Sequence, residues 1–272
     1  MKLTTHLRTL TFALAALLAA TPVTRAADLL VFAAASLTDA LTELAPDYTK
    51  ATGDTLRFNL AASGALTRQI REGAPADVII SADELRVDQL ENGGLLLAGT
   101  RKTVLANTLA IVVAAEKPAP VTKPADLAAP AVRRLAFGDP ATVPAGTYSR
   151  EYLGKLGLWD GLQAKSVYLA NVRAVLAAVE SGNADAGIVY KTDALISKKV
   201  KIAYAVSLED GPAITYPAAV IKTTKSPEAA KKFAAWLSTK EAQAVFAKYG
   251  FLTPATKTPV PSAGEKPVGA VK

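Results

Sequence analysis

The sequence predicts an α/β protein of two lobes joined by two extended crossings. Short apolar, β-branched or leucine-rich runs alternate with helical periodicity from end to end, the pattern of helices covering a largely parallel sheet. Two long extended segments, residues 103–115 and 214–221, stand apart from that alternation. A second αβ series lies between them, so the chain leaves one lobe for another and later returns.

Taken in order, residues 28–34 (DLLVFAA) have the length and composition of a buried strand. Ser36 then opens a helix with Leu37, Leu41 and Leu44 on one face, and Asp39 follows three residues after that cap, as in a capping box. Pro46 falls inside this pattern and is expected to kink or interrupt the helix, because it lacks an N–H and crowds the preceding turn. Residues 56–61 form the second strand, and Ser63 starts a helix that turns Leu66 and Ile70 inward. Residues 77–81 (DVIIS) are the third strand, followed by a helix through Leu85 and Leu90 that stops at Gly93-Gly94. The extended run 103–115, with a proline-rich stretch at 117–124 behind it, carries the chain out of the first lobe.

The series then repeats. A strand at 135–138, a helix at 147–156, a strand near Val167, a helix at 172–181 and a strand at 186–190 make the second lobe. Residues 214–221 (ITYPAAVI) return the chain, and helices at 227–237 and 239–249 pack back on the first lobe. The expected division is lobe 1 from residues 27–107 and 215–251, and lobe 2 from 108–214. Residues 252–272 hold four prolines, three lysines, one acid and no aromatic residue; too little apolar surface is available there to order the chain, and a flexible tail is expected.

The 272 residues include one His, one Met and no Cys, with a net charge of +7. His6 and Met1 both lie in a segment that reads as a secretory signal: a basic start at Lys2 and Arg8, an eleven-residue largely apolar run at 10–20, Pro22, and small residues around a cleavage point after Ala26. The apolar run is too short to span a bilayer. Removing residues 1–26 leaves 246 residues without His, Cys or Met, and taking away three basic residues lowers the charge to +4. Ser-His-Asp and Cys-His nucleophiles, imidazole acid-base catalysis, His or Cys metal sites and disulfides are thereby excluded from the processed chain. No basic block with interleaved aromatics marks a nucleic-acid surface, so no nucleic-acid partner is expected. A lipid anchor would need a Cys, and none is present; the expectation is a freely diffusing, monomeric periplasmic protein.

The strongest local signal is repeated geometry. A buried strand runs into a serine at a helix start twice, at Ala34-Ala35-Ser36 and at Ala61-Ala62-Ser63. Helix starts present unpaired N–H groups and the positive end of the dipole, and bind anions without a cation. In a parallel sheet both serines stand at the same carboxyl edge, where open α/β sheets bind ligands. Each serine also reads as an ordinary N-cap, and residues alone leave both readings open. In the second lobe, Val143-Pro144-Ala145-Gly146 lies in a loop between strand and helix, Asn171-Val172-Arg173 opens a helix, and Tyr190 ends a strand, where its hydroxyl is either a ligand donor or the tip of a core side chain. No carboxylate pair sits at catalytic spacing, and no phosphate or dinucleotide loop occurs.

These residues carry a resemblance. Residues 32–38 (FAAASLT), 66–70 (LTRQI), 73–77 (GAPAD) leading to 80–83 (ISAD), Gly138-Asp139-Pro140 with 143–146 (VPAG), Asn171-Val172-Arg173, 187–190 (GIVY) and 248–251 (KYGF) resemble, in order and spacing, the molybdate-binding periplasmic proteins of ABC transporters, the ModA family. The resemblance spans about residues 28–251. It implies a type II periplasmic-binding-protein fold whose two lobes close on molybdate or tungstate, held by neutral donors. The implied ligand contacts are Ser36 and Ser63 from lobe 1, and the backbone N–H groups of Ala145 and Val172 with the Tyr190 hydroxyl from lobe 2. An inner-membrane ABC permease is the implied partner, with no catalytic activity, no cofactor and no metal site beyond the molybdenum of the ligand. Some members carry a serine-rich run where this chain has Ala61-Ala62, and an acid where it has Asn171. The alternatives on the same fold are a binding protein for another oxyanion such as sulfate, or an enzyme working through carboxylates.

Overall fold

The computed structural model describes residues 26–254. The expected signal up to residue 25 and the expected tail from residue 255 lie outside the described residues. Within them, β1 (Asp28–Ala34) leads through a 3-10 turn (Ala35–Leu37) into α1 (Thr38–Thr52), followed by β2 (Thr55–Ala61), α2 (Ser63–Arg71), β3 (Val78–Ile80), α3 (Glu84–Asn92) and β4 (Lys102–Asn107). The chain then crosses to β5 (Leu109–Ala114), β6 (Leu135–Gly138), α4 (Pro144–Lys155), α5 (Trp159–Leu162), β7 (Ser166–Leu169), α6 (Val172–Glu180), β8 (Ala186–Tyr190), α7 (Lys191–Leu195) and β9 (Val200–Ala205). It returns through β10 (Ile214–Val220), α8 (Pro227–Trp236) and α9 (Lys240–Lys248).

Two five-stranded sheets result, with orders β2-β1-β3-β10-β4 and β7-β6-β8-β5-β9. In each, three parallel strands are followed by one antiparallel strand. The antiparallel strands are β10 and β5, the two that arrive from the opposite lobe, so their reversed direction follows from how the chain crosses. One crossing is Thr108 alone, between β4 and β5; the other is the loop 206–213. Leu252 pairs with Ala106 in an isolated bridge, which ties the chain end of the described region to lobe 1.

The helix at residues 38–52 runs through Pro46 without interruption, unlike the expectation. Interior proline costs a helix about 3 kcal/mol, but Leu41, Leu44 and Tyr48 are fully buried and each contributes about 1.5–3 kcal/mol. Tyr48 also packs edge-on against Phe233 and Trp236 of α8, ring centroids 5.1 Å away in both cases. Thr42, whose carbonyl loses its helical partner, and Pro46 are exposed, so water takes the place of the missing N–H. Packing therefore overrides propensity here.

Candidate functional site

The carboxyl edges of both sheets face one cavity. Ala34 and Ala61 are register partners at the ends of β1 and β2, so Ser36 and Ser63 emerge side by side, each two residues beyond its strand. Across the gap, Gly138 and Leu169 are partners at the ends of β6 and β7, which lead to the starts of α4 and α6, and Tyr190 is the last residue of β8. Ser36, Ser63, Ala145, Val172 and Tyr190, the five residues singled out from the sequence, all line this cavity. Its thirteen lining residues include six alanines and no Lys, Arg, Asp or Glu. Small side chains bring the backbone within reach of a ligand, and no formal charge meets it.

Neither serine caps the helix it starts, contrary to the capping reading. Ser36 lies in the 3-10 turn, with Leu37 before α1, and its Oγ is 3.0 Å from the Tyr216 hydroxyl. Asp39 is not engaged in a capping box; its carboxylate meets Arg173. Ser63 is the first residue of α2 after Ala62, and its Oγ accepts the Ala82 N–H at 2.9 Å. An oxygen that already accepts a backbone N–H has its own proton to give. The N–H groups of Ser63, Ala145 and Val172 fall in the first turns of α2, α4 and α6, where no intrahelical carbonyl is available to them. Asn171 does cap α6, accepting from the Ala174 N–H at 2.9 Å.

Tyr190 is the most telling atom. Its hydroxyl is buried and has no hydrogen-bond partner, and burial holds its pKa well above the ordinary tyrosine value, so it stays protonated. A buried polar group without a partner costs about 1–3 kcal/mol. At a cavity wall, such a hydroxyl is free to donate to an acceptor inside the cavity.

The lobes touch around the cavity, so the structure is a closed form. The Gly64 N–H donates to the Thr142 carbonyl at 3.1 Å, and the buried Arg86 guanidinium donates to the Ala141 carbonyl at 2.8 Å. Arg173 of α6 reaches the Ser36 carbonyl at 3.2 Å and Asp39 at 2.6 Å, while its Nε lies 2.7 Å from Asp193. Asp193 is fully buried, and desolvation, offset in part by Arg173, raises its pKa to about 6. Arg173, next in sequence to the site residue Val172, is thus already shared by two carboxylates. Sequence reasoning misses Tyr216, Asn107 and the pairing of Arg173 with Asp39, because the contacts that define them join residues more than a hundred positions apart.

Two like-built α/β lobes closing on a charge-free, donor-lined cavity define a solute-binding protein of the two-lobed kind. Residues 29–252 match the model of the family described as bacterial extracellular solute-binding protein, and the chain belongs to that family, in the branch that holds the ModA proteins. It is 42% identical over 224 residues to a putative ABC transporter substrate-binding lipoprotein, YvgL, of Bacillus subtilis, covering 82% of this chain and 85% of that one. It is 38% identical over 225 residues to the molybdate-binding protein ModA of Escherichia coli, covering 81% and 87%. The structure of the periplasmic molybdate-binding protein of Azotobacter vinelandii matches with a TM-score of 0.76 at 29% identity, over 84% of this chain and all of that one. These relatives are named as binding proteins, not as enzymes.

Proposed function

We propose that this protein captures molybdate, and equally tungstate, between its lobes and delivers it to an inner-membrane ABC permease. The partnerless Tyr190 hydroxyl carries the reading: in a cavity lined by N–H groups and serine hydroxyls it lacks only an acceptor, and a tetrahedral oxyanion supplies four. Ser36 and Ser63 hold the anion from lobe 1; the N–H groups of Ala145 and Val172 and the Tyr190 hydroxyl hold it from lobe 2. Hydrogen bonds to a charged acceptor contribute about 1.5–3 kcal/mol each, so five or more aimed donors make a buried dianion tolerable without a counter-ion. Because the donors come from both lobes, the anion binds the closed form better and shifts the population toward it. A cavity that closes fully on molybdate would hold the smaller sulfate less firmly, and that is the expected source of selectivity. The names of the E. coli and A. vinelandii relatives support the same ligand. We place it in the periplasm; no cysteine among the 272 residues could carry a lipid of the kind that the B. subtilis relative's name describes.

Titration calorimetry of the purified protein with molybdate, tungstate and sulfate tests this. Tight, near-equal binding of the first two and weak binding of sulfate is expected. Sulfate binding as tight as molybdate, or no heat with any of the three, overturns it.

A further inference from the structure

We propose that Asn107 and Tyr216 fix the Ser36 hydroxyl as a hydrogen-bond donor toward the cavity, and so make this protein select fully deprotonated oxyanions. The inference rests on the oxyanion reading of the site and assigns selectivity to two residues that do not line the cavity wall.

The direction of each proton follows from the one behind it. Asn107, the last residue of β4, has its Oδ1 2.9 Å from the Thr108 N–H, which can only donate. That contact identifies the other side-chain atom as Nδ2, a donor, and it points at the Thr192 Oγ1 at 2.9 Å and the Tyr216 hydroxyl at 3.2 Å. Tyr216 oxygen therefore accepts from Asn107. Its single proton is left with one acceptor in reach, Ser36 Oγ at 3.0 Å. Burial raises the Tyr216 pKa, so that proton is always present. Were Ser36 to donate to Tyr216 instead, a buried phenolic proton would have no acceptor. Ser36 Oγ thus accepts from behind, and its own proton is directed forward. All four residues are buried, so water does not scramble the order. Phe251, its ring edge-on to Tyr216 with centroids 5.5 Å apart, holds the tyrosine in place.

A donor-only Ser36 suits an oxygen without a proton. Hydrogen phosphate carries one O–H at neutral pH and needs an acceptor, which the relay denies it at this position; molybdate and sulfate need none.

The test compares wild type, Tyr216→Phe and Asn107→Asp, with folding checked by near-ultraviolet circular dichroism and anion affinities measured by calorimetry and by competition against molybdate. In Tyr216→Phe the Ser36 hydroxyl is free to turn and accept, so molybdate and sulfate weaken together by about tenfold while hydrogen phosphate holds or gains. Asn107→Asp keeps the size and the Thr108 contact but reverses the relay: the new carboxylate accepts the hydrogen bond of the Tyr216 hydroxyl, Ser36 donates backward, and its lone pairs face the anion. Molybdate affinity should then fall by about a hundredfold. Equal loss for hydrogen phosphate, sulfate and molybdate in Tyr216→Phe, or unchanged molybdate affinity in a folded Asn107→Asp, overturns the relay alone. Wild-type protein that binds no molybdate overturns the underlying site reading instead.

Discussion

Arg173 at the start of α6 lies 2.6 Å from Asp39 on α1, a pair that exists only because the lobes are closed. Its Nε simultaneously meets the buried Asp193 behind it. One guanidinium thus joins a contact between lobes to a contact within one, and the two are separable by mutation.

Asp39→Ala removes one contact between lobes and leaves the pair with Asp193 intact. Asp39 is partly exposed, so the closed form should weaken by about 1 kcal/mol, and molybdate should leave several times faster in stopped-flow release while the denaturant midpoint hardly moves. Arg173→Ala also strands a buried carboxylate, and unfolding stability should fall by about 3 kcal/mol. Equal stability losses in the two variants would show that Asp193 does not depend on Arg173.

Gly64→Ala should block closure without unfolding either lobe. A Cβ at Gly64 falls 2.3 Å from the Thr142 carbonyl oxygen in the opposite lobe, far inside contact distance. Affinity should drop by at least about a hundredfold, the scale of a lost lobe's worth of charged-acceptor hydrogen bonds, and small-angle scattering should show no compaction on adding molybdate. Gly146→Ala is the contrasting control, since its Cβ meets the Gly138 carbonyl within lobe 2 at 2.0 Å and should destabilise the fold itself.

Tyr190→Phe should separate function from stability with opposite signs. The Tyr190 hydroxyl has no partner within the protein, so deleting it breaks no internal hydrogen bond and the ligand-free protein should melt no lower than wild type. Molybdate should bind at least about tenfold more weakly. A lower apo melting temperature with unchanged affinity would show that the hydroxyl serves the core.

Stability should carry the Asp193 titration between pH 4 and 6. Its pKa is raised from 3.8 to about 6, first by burial, so in that window the folded protein binds more protons than the unfolded chain. The linkage relation then makes this contribution fully present below about pH 3.8 and lost as pH rises through about 6. The stability of wild type relative to Asp193→Asn, read from denaturation curves, should therefore fall as pH climbs through this range; a difference independent of pH would contradict the shift.

How far the sequence reaches is visible in particular residues. The strands ending at Ala34, Ala61, Gly138 and Tyr190 are legible because buried runs of that length are bounded by turn residues. Ser36 and Ser63 stand out because each follows such a strand at once. The strand at residues 200–205 escapes notice, since Lys201 breaks a short half-exposed run that carries no clear alternation, and the five-residue helix at 191–195 is too short to show a period. Pro46 misleads because its cost is local while its compensation comes from Phe233 and Trp236, nearly two hundred positions away. Asn107, Tyr216 and the Asp39 partner of Arg173 belong to the same group: each has a role only after folding brings distant segments together.

The cavity wall without a formal charge also bears on unloading. Attraction between an ion and a fixed dipole decays with distance more steeply than attraction between two ions, so a grip built of N–H and O–H dipoles slackens once the lobes part by an ångström or two. No lysine or arginine of the cavity wall follows the departing anion, and the ion pair that opening breaks, Arg173 with Asp39, joins the lobes to each other and not to the cargo. The proposed cargo would therefore be held firmly in a shut jaw and surrendered at small gape, which places control of release in the hands of whatever pries the lobes apart.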